Sequence, residues 1–177
     1  MDIFSMAEKT MRMGPDAWAR HANPLSVWTR ALGTPFVFIA VWSYHWIGWG
    51  AAALIAAVVF WTFVNPRLFS PPKHTETWAA QAVLGERVFL NRKQVSIPSE
   101  HARAAWITTS FAVPFLGLSL YGFMIADFWT AFGGWHGAVL AKLWFCDRMV
   151  WLWQDMKEAH PTYRAWAQAD WTATLND

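Results

Sequence analysis

Residues 31–66 read ALGTPFVFIAVWSYHWIGWGAAALIAAVVFWTFVNP, thirty-six positions between Arg30 and Arg67 without a permanent charge. A helix needs roughly 20 residues to cross a hydrocarbon layer of about 30 Å, so the stretch is too long for one crossing and tight for two. Its middle, Tyr44-His45-Trp46-Ile47-Gly48-Trp49-Gly50, gathers aromatic rings that favour the headgroup level and glycines that permit a turn. The reading is a first transmembrane hairpin over 27–64, with helices near 27–44 and 49–64. A single tilted span or a re-entrant loop is the alternative.

Downstream the pattern returns. Residues 104–126 are uncharged, Asp127 interrupts, and the chain stays uncharged from Phe128 until Lys142. This predicts a second hairpin over 104–153, with helices at 104–125 and 129–153. Pro114 removes one hydrogen bond from the third helix and should kink it. Gly133, Gly134 and Gly137 on the fourth would admit another backbone at close range. Trp28 followed by Pro35-Phe36 in the first hairpin has a counterpart in Trp106 followed by Pro114-Phe115 in the second, which leaves a parallel internal repeat open.

Charge sets the orientation. Neither hairpin tip holds Lys or Arg, whereas Lys9, Arg12, Arg20 and Arg30 precede the first hairpin, Arg67, Lys73, Arg87, Arg92, Lys93 and Arg103 lie between the two, and Lys157 and Arg164 follow. By the positive-inside rule both termini face the cytoplasm. The expected layout is a cytoplasmic segment 1–26, the first hairpin 27–64, a basic connecting segment 65–103, the second hairpin 104–153 and a cytoplasmic tail 154–177. Asp2, Glu8, Lys9 and Arg12 break any early apolar run, so no cleavable leader is expected and the first span serves as the insertion signal.

Composition agrees with an all-α integral membrane chain of the inner membrane. Charged residues are 15% and aromatics 18%, with fifteen Trp, more than a soluble core of this size needs. A net charge of +2 without basic-aromatic interleaving speaks against nucleic acid. Cys146 is the single cysteine, which excludes an internal disulfide.

Within 65–103, Pro66, Pro71 and Pro72 should end the second helix, after which Thr75 caps a helix through Trp78, Ala82, Leu84 and Phe89. That helix is expected at the inner membrane surface, with Arg87, Arg92 and Lys93 near lipid phosphates, or else as a solvated loop helix packed on the end of the bundle. In the tail, Pro161 opens a short helix bearing Tyr163, Trp166 and Trp171, as an interfacial or docking element.

Lys142 lies about 20 Å into the fourth helix, and a cation at mid-bilayer costs ~2.5–3.5 kcal/mol. Helical side chains lean toward the N-terminus, here the outer end, so snorkelling inward is awkward. Relief must come from a carboxylate on another helix, a polar cavity or a neutral amine. Asp147 shares a helix face with Trp151 and Asp155, while Arg148 points elsewhere, a pattern that fits a tie to the first hairpin or an anion site. Glu86 is an available general base. Arg20, Arg30, Arg67, Arg87, Asn91, Arg92 and Arg148, with His21, Asn23 and Asn65, could form one cytoplasmic pocket of planar donors suited to phosphate or carboxylate, or simply a solvated basic collar. Catalytic candidates are therefore Glu86, Lys142 and Asp147.

Six histidines show no ligand spacing, so no metal site and no cofactor is implied, though His45 and His136 near the outer surface leave a haem-like arrangement open. Common nucleotide-binding and hydrolase motifs are absent.

The segments Arg20-His21-Ala22-Asn23-Pro24, Ser26-Val27-Trp28-Thr29-Arg30, Asn65-Pro66-Arg67-Leu68-Phe69, Leu84-Gly85-Glu86-Arg87-Val88-Phe89-Leu90-Asn91-Arg92-Lys93 and Lys142-Leu143-Trp144-Phe145 with Asp147-Arg148-Met149-Val150-Trp151 resemble an uncharacterised family of small prokaryotic membrane proteins. The resemblance implies a polytopic membrane protein and supplies no reaction. The functional expectation is a non-catalytic accessory or assembly subunit that meets the bilayer and other membrane subunits or copies of itself. A small enzyme or binding protein for an anionic lipid is the alternative, and a transporter the third.

Overall fold

The computed structural model describes residues 13–175, and these fold entirely as helices and loops. Lys9, Arg12 and the start of the expected cytoplasmic segment lie outside the described residues. The helices are α1 (Pro15–His21), α2 (Pro24–Ala31), α3 (Thr34–Trp42), α4 (Tyr44–Ile47) with a 3-10 turn at Gly48–Gly50, α5 (Ala51–Leu68), α6 (Trp78–Leu90), α7 (Ser99–Met124), α8 (Phe128–Met156) and α9 (Pro161–Ala167).

The charge-free stretch folds back on itself. Gly48 has φ of +55°, a left-handed conformation that glycine reaches at little cost, and it lets the chain reverse between α4 and α5. The return is closed at the other end, where Asn65 of α5 meets Ser26 and Thr29 of α2. The first arm is broken: α2 stops at Ala31 and α3 restarts at Thr34 with Pro35 in its first turn, where proline has no amide to lose. Pro66 lies inside the last turn of α5, which continues to Leu68 instead of ending before the proline.

The second hairpin has two continuous helices. The bend between α7 and α8 is capped by Asp127, whose carboxylate accepts from the amides of Trp129 and Thr130 and from the Thr130 hydroxyl. These hydrogen bonds hold its carboxyl below the usual carboxylate range. Close approach of α7 and α8 depends on small residues. A Cβ on Gly122 would lie 2.3 Å from the Ala131 nitrogen, and one on Gly134 2.3 Å from the Ser119 nitrogen. At Gly137 the obstacle is the Phe115 ring, whereas Gly133 faces open space.

The connecting helix departs from expectation. Its N-cap is Thr77, whose hydroxyl accepts from the Ala80 amide, while Thr75 donates to the Ala167 carbonyl near the C-terminus. An interfacial surface helix would show one polar face to water, yet α6 buries Ala79, Ala80, Val83, Leu84, Val88 and Phe89 against protein. Gly85 touches the α8 backbone so closely that a Cβ would fall 1.8 Å from the Met149 carbonyl oxygen. The apolar residues surround α6 because it has protein on several sides, which explains the absence of a clean stripe.

The main core joins α6, the C-terminal half of α8, the start of α7 and α9 through Leu84, Phe89, Phe145, Met149, Tyr163 and Trp166. α9 is thus docked into protein. A second apolar centre sits at the opposite end, where Phe38 and Trp42 of α3 pack on Ala131, Phe128 and Phe132 of α8. By length and apolar character two segments can cross a membrane, 24–68 and Ser99–Met124.

Candidate functional site

α1, α2 and the end of α5 build a hydrogen-bonded relay whose direction can be deduced. The Thr29 hydroxyl donates to the Leu25 carbonyl at 2.6 Å, so it accepts from the Asn65 amide nitrogen at 2.9 Å. The Asn65 oxygen then accepts from the Ser26 hydroxyl at 2.9 Å, leaving Ser26 to accept from Nδ1 of His21 at 3.2 Å. With its proton on Nδ1, His21 presents a bare Nε2, and the Arg30 guanidinium donates to it at 2.9 Å. Ser26 and Asn65 are fully buried and His21 nearly so. Burial, reinforced by the positive charges of Arg30 and Lys142, holds the His21 imidazolium well below its ordinary range and keeps the ring neutral.

Lys142 finds its relief on α6. Its Nζ donates to Oε1 of Glu86 at 3.2 Å and stands 4.4 Å from the centre of the Phe145 ring. Of the remedies expected for this cation, the carboxylate on another helix is the one present, and it comes from the connecting helix instead of a hairpin. Glu86 is one-quarter exposed and Lys142 about half. Arg30, Glu86, Lys142 and the Cys146 thiol lie within one electrostatic field, and His21 feels both cations. The hydrogen bonds themselves form two groups, Arg30 with His21 on α2 and α1, and Lys142 with Glu86 on α8 and α6.

Asp147 ties α8 to the connecting helix α6, not directly to the first hairpin. Its Oδ1 accepts from the indole of Trp78 at 3.2 Å, and Trp78 stacks on Trp28 of α2 with centroids 5.6 Å apart. Arg148 donates to the other Asp147 oxygen at 2.9 Å and lies over Trp151. Asp155 turns to His101 at 2.7 Å, joining the ends of α8 and α7.

The remaining donors are dispersed. Arg20 pairs with Asp16 at 2.9 Å and reaches the Arg67 carbonyl, and Arg67 bonds within its own helix to the Phe63 carbonyl. Arg87 is buried with its guanidinium 3.6 Å above the Trp166 ring, and Arg92 donates to the Phe89 carbonyl. Asn91 caps α6 beside the Tyr163 hydroxyl, whose ionisation burial pushes up to about 12. The structure brings Arg30 together with His21, Ser26, Thr29 and Asn65, and, separately, Lys142 together with Glu86. It does not bring Arg87, Asn91, Arg92 or Arg148 into either group.

Ser26 and Thr29 were not singled out by the sequence reading. Their signal was available: two hydroxyls three positions apart on the first turns of an apolar arm, with Asn65 at the matching depth of the returning arm. Near the hairpin tips, His45 packs on Trp42 and Phe123, whereas His136 packs on Phe132 and bonds its carbonyl. Among the described residues no three His, Cys, Asp or Glu side chains gather to hold a metal ion.

A model of a family of unknown function, DUF6653, matches residues 3–172, and the chain belongs to that family. No curated protein and no solved structure matches it.

Proposed function

We propose that the protein is a multi-pass inner-membrane protein that crosses the bilayer four times as two hairpins, has both termini in the cytoplasm, and works by contact as an accessory or assembly subunit of a larger membrane complex. The observation that carries the membrane reading is α5. It is 18 residues long, about 27 Å, and leaves Leu54, Val59, Phe60, Trp61 and Phe63 exposed. A soluble core helix of that composition would be covered, yet only 6% of the most apolar window of 24–68 is buried, and 11% of the corresponding window of α7. Lipid is the solvent in which such a surface is stable.

Exposed Trp rings include Trp46, Trp49 and Trp129 at the hairpin tips and Trp28, Trp106 and Trp151 toward the opposite end, while Trp61 and Trp144 stand within the apolar zone. The Lys142–Glu86 pair adjoins the basic connecting segment.

A contact role is supported by what the outer surface offers. A groove of about 190 Å³ on the α7–α8 seam is walled by Phe111, Phe115, Leu140 and Trp144 over Gly137 and Ala141, a shape that admits a partner helix or lipid chain. The carboxylates inside the protein face partners of their own, Glu86 a cation and Asp147 an indole and Arg148. Glu86 therefore stands as the counterion of Lys142, in place of the free base required by a lipid-processing enzyme.

Native mass spectrometry on protein released gently from its own membrane tests this reading. Masses of other subunits are the expected result, and a stable lone monomer would end the accessory proposal. Extraction into the soluble fraction at alkaline pH would end the membrane proposal itself.

A further inference from the structure

We infer that the recess between α7 and α8 beside Lys142 holds one membrane phospholipid whose head carries a primary amine, with the lipid phosphate on Lys142 and the amine on Glu86. The recess has a volume of about 170 Å³ and is lined by Thr108, Thr109 and Ala112 of α7 and by Ala141, Lys142 and Phe145 of α8. It is distinct from the groove of Phe111 and Trp144. At about 100° per residue, Lys142 and Phe145 lie on one flank of Ala141 along α8, and Leu140 and Trp144 lie on the other.

The lining is polar where a lipid head would lie and apolar where its chains begin. Lys142 and the two threonines supply the polar part, and Ala112, Ala141 and Phe145 supply the rest. The Lys142 side chain is 56% exposed, and its ammonium has two hydrogens beyond the one given to Glu86. Thr108 commits its hydrogen to the Ala104 carbonyl at 2.9 Å, whereas the Thr109 hydroxyl makes no hydrogen bond among the described residues and is left to serve a ligand. Trp106 is exposed two positions before Thr108 on α7, which sets this end of the recess near a headgroup level on the membrane reading proposed above, and the site rests on that reading.

Charge balance selects the head. Lys142 and Glu86 cancel at 3.2 Å, so a head with net negative charge would leave one charge uncompensated at low dielectric, and a zwitterion leaves none. The pair also offers both poles in reverse, an ammonium for phosphate oxygens and a carboxylate for a cation. The second Glu86 oxygen accepts no hydrogen bond among the described residues, and the side chain stays one-quarter exposed. A primary ammonium can donate to that oxygen, and a quaternary one has no hydrogen to give. The site therefore separates phosphatidylethanolamine from phosphatidylcholine by its carboxylate and from phosphatidylglycerol by its charge.

The test uses the full-length protein in nanodiscs holding phosphatidylethanolamine, phosphatidylcholine and phosphatidylglycerol in equal amounts, with native mass spectrometry reading the lipid that stays bound. Wild type should keep one phosphatidylethanolamine in preference to the other two. Lys142→Gln should weaken that retention about tenfold, as expected for loss of one charge-assisted contact. Glu86→Gln should pass the preference to phosphatidylglycerol, because the site then carries a net positive charge. Ala112→Phe should expel the lipid by filling the recess with the charged pair intact, whereas Leu120→Phe, exposed on the same helix outside the recess, should not. Equal retention of the three lipids, an unchanged preference in Glu86→Gln, or lipid kept by Ala112→Phe as by wild type would overturn the site. If Lys142→Gln fails to fold, the switch at Glu86 and the block at Ala112 carry the decision. Stripping of the protein from membranes by alkaline washing would sink the membrane reading and the site together; unselective retention by a protein that resists washing would sink the site alone.

Discussion

The two hairpins solve the same problem with different forces. The second, α7 and α8, is held by backbone proximity: Gly122 and Gly134 let helices of 26 and 29 residues lie so close that side chains are squeezed out of the seam. The first, α2–α3 and α5, has no comparable seam. It is broken at Leu32–Gly33, its outward surface is aromatic and aliphatic, and its inner ends are fastened by Ser26, Thr29 and Asn65. Close backbone approach dominates the second half, where the Ser119 hydroxyl adds one bond to the Ala131 carbonyl, and hydrogen bonds between helices dominate the first; on the membrane reading proposed above these are the forces left to hold helices together. The two Pro-Phe pairs differ in setting: Pro35 restarts a helix after a break, whereas Pro114 sits inside a continuous one.

The largest expected effect lies where backbones touch. Gly85→Val places a side chain against the Met149 carbonyl, and Gly134→Val places one against the Phe115 and Ser119 backbone, so neither neighbour can rotate away. Each should cost about 3 kcal/mol or more, or abolish folding. Thermal melting in detergent reads this, with Gly133→Ala, which meets nothing, as the control. Tolerance of both valines would remove the close-packing half of the comparison.

Next comes Asn65→Leu. It deletes the centre of the relay and strands the fully buried Ser26, with an expected loss of about 2–4 kcal/mol for two broken bonds and the exposed need for partners. An unchanged melt would show that the first hairpin is held by lipid and turn geometry, with its hydrogen bonds dispensable.

A pH series sharpens the same half. Because the folded state holds His21 below its ordinary value of 6.5, protonation opposes the fold. Its contribution is intact above about pH 6.5 and is lost as pH falls below that toward the folded-state value. The facing groups are Ser26 and Arg30 of α2 and Lys142 of α8. Wild type should lose stability on acidification through this range more steeply than His21→Asn; identical slopes would mean the ring is not held neutral.

The smallest effect is expected at the bridge between the halves. Trp78→Phe keeps the ring against Trp28 and removes the hydrogen bond to Asp147, at about 1 kcal/mol. A loss several times larger would make this bond, instead of apolar packing, the principal link between the hairpins.

Much of the helical layout was legible. The turn near Gly48 follows from a charge-free stretch too long for one helix, and the α7–α8 bend follows from Asp127. Pro161 opened its helix as read, and Gly134 lies at the close contact its type suggests. Less legible was α6. Its apolar residues lack one stripe because it contacts several elements, so periodicity could not tell a surface helix from an enclosed one. Arg87 and Arg148 looked like ligand donors because the sequence shows charge without neighbours, and each proves to lie over an indole.

What the sequence by itself determined is the all-helical architecture, the positions of the turns and the separation of a charge-free zone from a basic one, since these depend on local composition and on lengths counted along the chain. Which charge meets which was decided only by the tertiary structure. Glu86 and Lys142 are separated by 56 positions and Ser26 and Asn65 by 39, and contacts across such intervals are set by how whole helices pack. Gly85 and Asn65 direct that packing, one by making room for a backbone and the other by demanding partners in a buried place.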